Sequence, residues 1–299
     1  MRRILIPLTF CIALVAALLM VDTPSTQAAG RSEATYKYGS HTRQQLDAYW
    51  NPSSTPQPGV VILHGGYWYE DASWATKSRF FADAGYATFS ADYRLNFDAQ
   101  WPAQRNDALA ALTWIRDNAA RFNLDPERIV VLGSSAGGQI ATAIATYGSG
   151  ATTVKGVVGL SPVASPYRAW NDGNHETSTF QERKVRDNAT VLARCFPDPA
   201  DTDTSLHASC WDTWKDTVAK NRASGANDAP MYLIHSQDDF IPVIHSTDLE
   251  KAEEVDQDMP ASGVTVETVP GAAHGGALLD EPGMLAKVLK WIAARVDNA

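Results

Sequence analysis

Ile129-Val130-Val131-Leu132 runs without a spacer into Gly133-Ser134-Ser135-Ala136-Gly137. A short, branched apolar run predicts a buried strand. The stretch that follows, Ala136 to Tyr147, has helical spacing and stops at Gly148. Strand, tight turn and helix in this order place Ser135 at the centre of a Gly-x-Ser-x-Gly turn. Such a turn is strained and lifts the central Oγ clear of the sheet. Side chains two positions away on either side would collide with the neighbouring strand or helix, so glycine belongs at 133 and 137. Ala136 opens the helix, where an N–H and a partial positive charge face the hydroxyl. Ser134 is off the centre of the pattern and is the lesser candidate.

Apolar strands alternate with longer helical stretches along the chain, which predicts a mostly parallel sheet covered on both faces. Strands are expected at Tyr36–Tyr38, Gln45–Tyr49, Val60–Leu63, Tyr86–Ala91, Arg128–Leu132, Lys155–Leu160, Met231–His235 and Val264–Val269. Helices are expected at Ser73–Ala84, Pro102–Phe122, Ala136–Tyr147 and Glu281–Val296. Ser165 to Asp228 breaks this rhythm and reads as an inserted cap between two sheet strands.

The start of the chain reads as an export signal rather than as fold. Arg2 and Arg3 precede an apolar run from Ile4 to Val21, and Thr26-Gln27-Ala28-Ala29 offers small residues for cleavage. The alternative is retention as an N-terminal anchor, since the run is long enough to span a bilayer. Cleavage after Ala28 removes Cys11 and leaves Cys195 and Cys210. Two neighbouring cysteines in an exported chain predict a disulfide. It would close a loop of about 16 residues, contributing about 3 kcal/mol in the chain-entropy picture. The net charge of −9, with no basic run, argues against a nucleic-acid or anionic-membrane partner.

A second loop carries donors. His64-Gly65-Gly66-Tyr67-Trp68 follows the strand Val60–Leu63. Backbone amides there, those of Gly66 and Tyr67 together with Ala136, are placed to hold a developing oxyanion. His64 is expected to orient the loop. Tyr67, Trp68, Tyr69 and Trp74 form a candidate aromatic wall, with Trp68 and Tyr69 as substrate contacts; packing of the loop against the body is the alternative.

A serine hydroxyl needs a base, and the base needs an acid to fix its tautomer. His274, in Gly271-Ala272-Ala273-His274-Gly275-Gly276 after the strand Val264–Val269, is the candidate base. The acid should follow Met231–His235, where Asp238 and Asp239 compete. Counting forward from the strand favours Asp239. No cluster of Cys and His has metal-ligand spacing, so no cofactor is called for.

His64-Gly65-Gly66 with Gly133-Ser134-Ser135-Ala136-Gly137-Gly138 resembles the hormone-sensitive-lipase-like α/β-hydrolases, and within them the bacterial feruloyl- and acetylxylan-esterase-like branch. Leu46-Asp47-Ala48-Tyr49, Asp92-Tyr93-Arg94-Leu95, Trp101-Pro102-Ala103 and Asp125-Pro126-Glu127-Arg128 support the likeness, which covers about residues 35 to 295 outside the insert. His-Gly-Gly-Tyr-Trp is also similar to arylformamidases. Tyr67 stands where lipase-like members carry a third glycine, which narrows the mouth of the site. The pattern Asp-x-Leu/Phe-Val/Ile-Pro puts Phe240, Ile241 and Pro242 in register with Asp238, so the resemblance selects Asp238 over Asp239. It implies an α/β-hydrolase domain at 29–299 behind a signal peptide at 1–28, with an insert at about 165–228. It also implies a Ser-Asp-His esterase that needs no metal and acts on a small or polymer-linked ester outside the cytoplasm. An arylformamidase-like amidase and a non-catalytic binding member of the fold are the rival readings.

Overall fold

Along the central strands successive side chains are buried on opposite faces, with the period of two that a sheet imposes. In β3 (Gln57–Leu63), Val61 and Leu63 enter one apolar cluster while Val60 and Ile62 enter another. Ile129 and Val131 of β5 (Leu124–Ser134) likewise face the first cluster, and Val130 and Leu132 the second. A strand buried on both faces must lie inside a sheet covered on both sides.

The computed structural model describes residues 30–197 and 207–297. The segment read as a signal peptide lies outside them. The remaining strands are β1 (Ser32–Lys37), β2 (Gln45–Trp50), β4 (Ala87–Ala91), β6 (Gly156–Leu160), β7 (Met231–Ser236) and β8 (Val264–Val269). Eight strands form one sheet in the order β1-β2-β4-β3-β5-β6-β7-β8. β2 pairs antiparallel with β1 and β4; every other pairing is parallel. The parallel pairings require long crossovers, and helices supply them.

α1 (Ala75–Asp83) and α9 (Met284–Val296) cover one face, contributing Phe81, Val288, Ile292 and Val296. Each fully buried aliphatic side chain there contributes about 1.5–3 kcal/mol relative to exposure. α2 (Ala103–Asp117) and α3 (Ala136–Ala145) cover the other face, with Ala108, Ala111, Leu112 and Ile115 at helical spacing. The single helix expected at Pro102–Phe122 is divided. α2 ends at Asp117, and a 3₁₀ turn over Ala119–Phe122 closes at Asn123 in the left-handed region, φ 49°. The last helix starts at Met284 rather than Glu281, because Gly283 at φ 78° turns the chain first. A short α4 (Gly150–Thr153) leads into β6.

Between β6 and β7 the chain forms α5 (Pro166–Asp172), α6 (Phe180–Ala193) and α7 (His207–Thr217). α6 begins with a reciprocal capping box between Thr179 and Glu182. A disulfide joins Cys195, after α6, to Cys210 in α7. The Trp214 ring is buried beneath it, and its Nε1 donates to Cys195 O at 3.1 Å. After β7 comes α8 (Ile244–Lys251), which the sequence reading did not include. No helix among the described residues is long and apolar enough to cross a membrane.

Candidate active site

Ser135 sits between β5 and α3 with φ 52° and ψ −113°. A positive φ at a residue with a Cβ is strained, and the surroundings hold it in place. The Ser135 N–H donates to Leu160 O at 2.8 Å, and Ser135 O accepts from the amides of Gln139 and Val163. The turn leaves no room beside it. A Cβ on Gly133 would lie 2.3 Å from Gly137 O, and one on Gly137 would lie 2.2 Å from Leu63 O. The second contact presses α3 onto the end of β3, where the loop His64–Trp68 begins.

That loop is pinned from behind. The His64 ring stacks on Tyr93 at 4.3 Å, Tyr93 Oη donates to His64 O at 2.8 Å, and His64 Nδ1 lies 2.7 Å from Gly65 O. Burial pushes the His64 pKa down, so the ring is neutral and structural. Gly66 O accepts from the amides of Tyr69 and Glu70. Tyr67 and Trp68 both adopt φ 56°. Among the described residues, no protein acceptor meets the amides of Gly66, Tyr67 or Ala136. Those three amides are therefore unclaimed within the protein.

The double left-handed turn sends Trp68 inward, which corrects one sequence expectation. Trp68 is fully buried, and its Nε1 donates to Gln139 Oε1 at 3.1 Å. It packs the loop onto α3 and cannot touch a substrate. Tyr69 is exposed, but it faces a neighbouring cleft with Phe97, Phe180 and Lys184 rather than the space above Ser135. That cleft of 470 Å³ contains no nucleophile and base.

The acid expectation is also corrected. Asp239 Oδ1 lies 2.8 Å from His274 Nδ1 and accepts the Ile241 N–H at 3.0 Å. Its side chain is wholly buried. Asp238 is exposed; its amide is tied to Gly271 O, and the chain turns so that the next residue points inward. The Phe240 ring packs on the imidazole at 4.1 Å and also stacks on Tyr67 at 6.3 Å. His274 and Ser135 line one cavity of 380 Å³ with Gly66, Tyr67, Trp74 and Asp280. Trp74 belonged to the expected wall and is there. Lys77 and Asp280, an ion pair across the rim, were missed; they stand 203 residues apart, and no local pattern marks either.

Residues 46–166 match the family model described as BD-FAE, a span that includes both glycine-rich loops. Over 117 residues the chain is 37% identical to the carboxylesterase NlhH of Mycobacterium tuberculosis, covering 38% of this chain and 37% of that one. The chain thus spans well under half the length of that relative. Esterase B from Lactobacillus rhamnosis superimposes with a TM-score of 0.70 at 19% identity, over 91% of this chain and 87% of its own. The chain has the α/β-hydrolase fold. The α/β-hydrolase sheet, with its mostly parallel order and flanking helices, is shared across that superposition. It is shared too with an acetyl ester-xyloside bifunctional hydrolase from Caldicellulosiruptor lactoaceticus, with a TM-score of 0.63 and 23% identity over 84% of this chain and 87% of that one. Esterase LipC of Mycobacterium tuberculosis aligns more broadly, at 26% identity over 81% of this chain and 59% of LipC.

Proposed function

We propose that this α/β-hydrolase cleaves carboxylic esters through an acyl-enzyme, with Ser135 as nucleophile, His274 as general base and Asp239 as the acid that orients it. One observation carries the reading. A strained serine, an imidazole bonded through Nδ1 to a buried carboxylate, and two residues with unclaimed amides, Gly66 and Tyr67, line one cavity.

The Asp239 bond fixes the proton on Nδ1, so Nε2 is free to take the Ser135 proton as Oγ attacks the carbonyl carbon. The negative oxygen then rests on the amides of Gly66, Tyr67 and Ala136, the last reinforced by the α3 N-terminus. His274 returns its proton to the leaving alcohol. Water, deprotonated by the same nitrogen, attacks the acyl-enzyme and releases the acid. No residue in this sequence of steps calls for a metal or a cofactor. NlhH and LipC, a carboxylesterase and an esterase, are named for this chemistry. Tyr67 and Trp74 bound a cavity of 380 Å³, large enough for a small-molecule ester. Export is part of the proposal, because the leader-like start and the Cys195–Cys210 disulfide both fit an oxidising compartment.

The test is turnover of p-nitrophenyl esters of graded chain length, beside methyl ferulate and acetylated xylan. Ser135→Ala should lower kcat by at least about 10⁴-fold with the melting temperature unchanged. Turnover that survives the substitution would end the proposal.

A further inference from the structure

Three serine hydroxyls stand at the carboxyl ends of three adjacent parallel strands, and acyl transfer uses none of them. Ser134 is the last residue of β5, Ser161 follows β6, and Ser236 is the last residue of β7. Their exposures are 5%, 0% and 2%. Each reaches the backbone of the loop that carries His274. Ser236 Oγ donates to Ala273 O at 2.7 Å. Ser161 Oγ accepts the Gly275 N–H at 2.9 Å, and Ser134 Oγ accepts the Gly276 N–H at 3.1 Å. The contacts bracket His274 on both sides.

Outside these three bonds the loop is tied to the sheet by the Asp238 N–H donating to Gly271 O, three residues before His274. Pro270, Gly271 and Ala272 are exposed, and the next buried apolar side chain is Leu278. Asp239 and Phe240 fix the rotation of the imidazole, but they do not fix the backbone that delivers it. Gly275 turns through φ 59° so tightly that a Cβ there would lie 2.4 Å from Ser134 Oγ. Ser161 itself holds φ 48°, a left-handed conformation that a serine adopts at a cost. That strain is retained where its Oγ meets the loop. A displacement of about 1 Å in a catalytic group can cost about 100-fold in rate, so the anchoring has consequences for chemistry.

We propose that Ser134, Ser161 and Ser236 are positioning residues that clamp the His274 loop onto the sheet and set the imidazole against Ser135 Oγ. The proposal rests on the acyl-transfer reading for its catalytic consequence and on hydrogen-bond geometry for the clamp itself.

The two parts are tested separately on the whole protein. Amide hydrogen exchange reads the clamp without reference to activity. Gly275 should exchange about tenfold faster in Ser161→Gly and Gly276 about tenfold faster in Ser134→Ala, as expected when a buried bond loses its acceptor. Ser161→Gly removes the hydroxyl and relieves the positive φ, so it should fold at least as well as the parent. With p-nitrophenyl acetate, kcat should fall about tenfold in each variant and about 100-fold in the triple variant with Ser236→Ala. KM should move by less than about twofold in Ser161→Gly and Ser236→Ala, because neither residue lines the cavity that holds Ser135 and His274. Unchanged exchange at Gly275 and Gly276 overturns the clamp. Faster exchange with unchanged kcat overturns the positioning role. If the parent protein hydrolyses no ester, the acyl-transfer reading falls, and the exchange measurement still decides the clamp.

Discussion

Replacing Asp239 with Asn tests the acid assignment at the atom where it matters. Asp239 Oδ1 accepts two hydrogen bonds at once, from His274 Nδ1 at 2.8 Å and from the Ile241 amide at 3.0 Å. The other oxygen, Oδ2, is buried with no partner among the described residues. An Asn therefore has two poor choices. If its oxygen stays on the Ile241 amide, the histidine keeps its tautomer but loses the negative charge that stabilises the imidazolium. At a separation of about 4 Å and an effective dielectric of about 20, that charge is worth about 4 kcal/mol, or about 10³-fold in rate. If the amide flips, its N–H donates to Nδ1, drives the proton to Nε2 and leaves Ser135 without a base; that failure costs about 10⁴-fold in comparable triads. Asp239→Asn should thus lower kcat by about 10³- to 10⁴-fold. Its melting temperature should change little, since the side chain keeps its shape and the substitution removes a charge from a wholly buried site. Asp238→Asn, at an exposed side chain, should change kcat by less than about twofold. The assay is steady-state hydrolysis of p-nitrophenyl acetate with thermal melts on the same preparations. A kcat above about a tenth of the parent's in Asp239→Asn, or an equal loss in Asp238→Asn, would refute the reasoning.

Trp74→Ala should enlarge the cavity it lines and raise kcat/KM for hexanoate relative to acetate esters; an unchanged ratio would show that Trp74 does not limit the acyl group. Reducing Cys195–Cys210 should loosen α6 and α7, with a loss of about 3 kcal/mol. New protease cuts confined to the insert would show it, and an identical digest would contradict it. Glu253 is buried beside Asp228, and desolvation, with that neighbour, pushes its pKa up to about 8. The folded chain therefore holds this proton more tightly than the unfolded chain, so stability falls as pH rises from the ordinary carboxyl range to about 8. Glu253→Gln should flatten that slope in melts taken between those limits, and a parallel slope in the variant would place its origin elsewhere.

The sheet was legible because its strands announce themselves. β3, β5, β6 and β7 are branched apolar runs that end at glycines, serines or histidine, and each needs only local pattern to be found. The helix α8 was not legible, for an equally local reason. Its buried residues are His245, Ser246 and Leu249, so two-thirds of its inward face is polar and no apolar period marks it. What those polar groups do is visible only in three dimensions. His235 Nε2 lies 2.7 Å from Ser246 Oγ, and His245 Nδ1 accepts the Ser165 amide at 3.3 Å. Burial pushes the two histidines down to about 4 and about 3, and both stay neutral. Trp68 failed as a substrate contact because nothing in its own neighbourhood shows that two successive residues take φ 56°.

The acid was misplaced by a single residue, and the reason bears on how such sites are read. A motif register compares residue types, whereas the function depends on which side of a turn a carboxylate faces. After β7, the amides of Gln237 and Asp238 bond to Val269 O and Gly271 O and continue the edge pairing with the segment after β8. That pairing commits Asp238 to the outside and delivers Asp239 to the inside, where Ile241 closes a turn on its carboxylate. The same strand-end pairing draws the β8 loop toward β7, so it aims the acid and the base with one set of bonds. Ser236 adds a hydroxyl to that set through Ala273 O. Counting from the end of the strand therefore carries more information about the acid than the similarity of the residues that follow, because the count tracks the backbone pairing that turns the side chain.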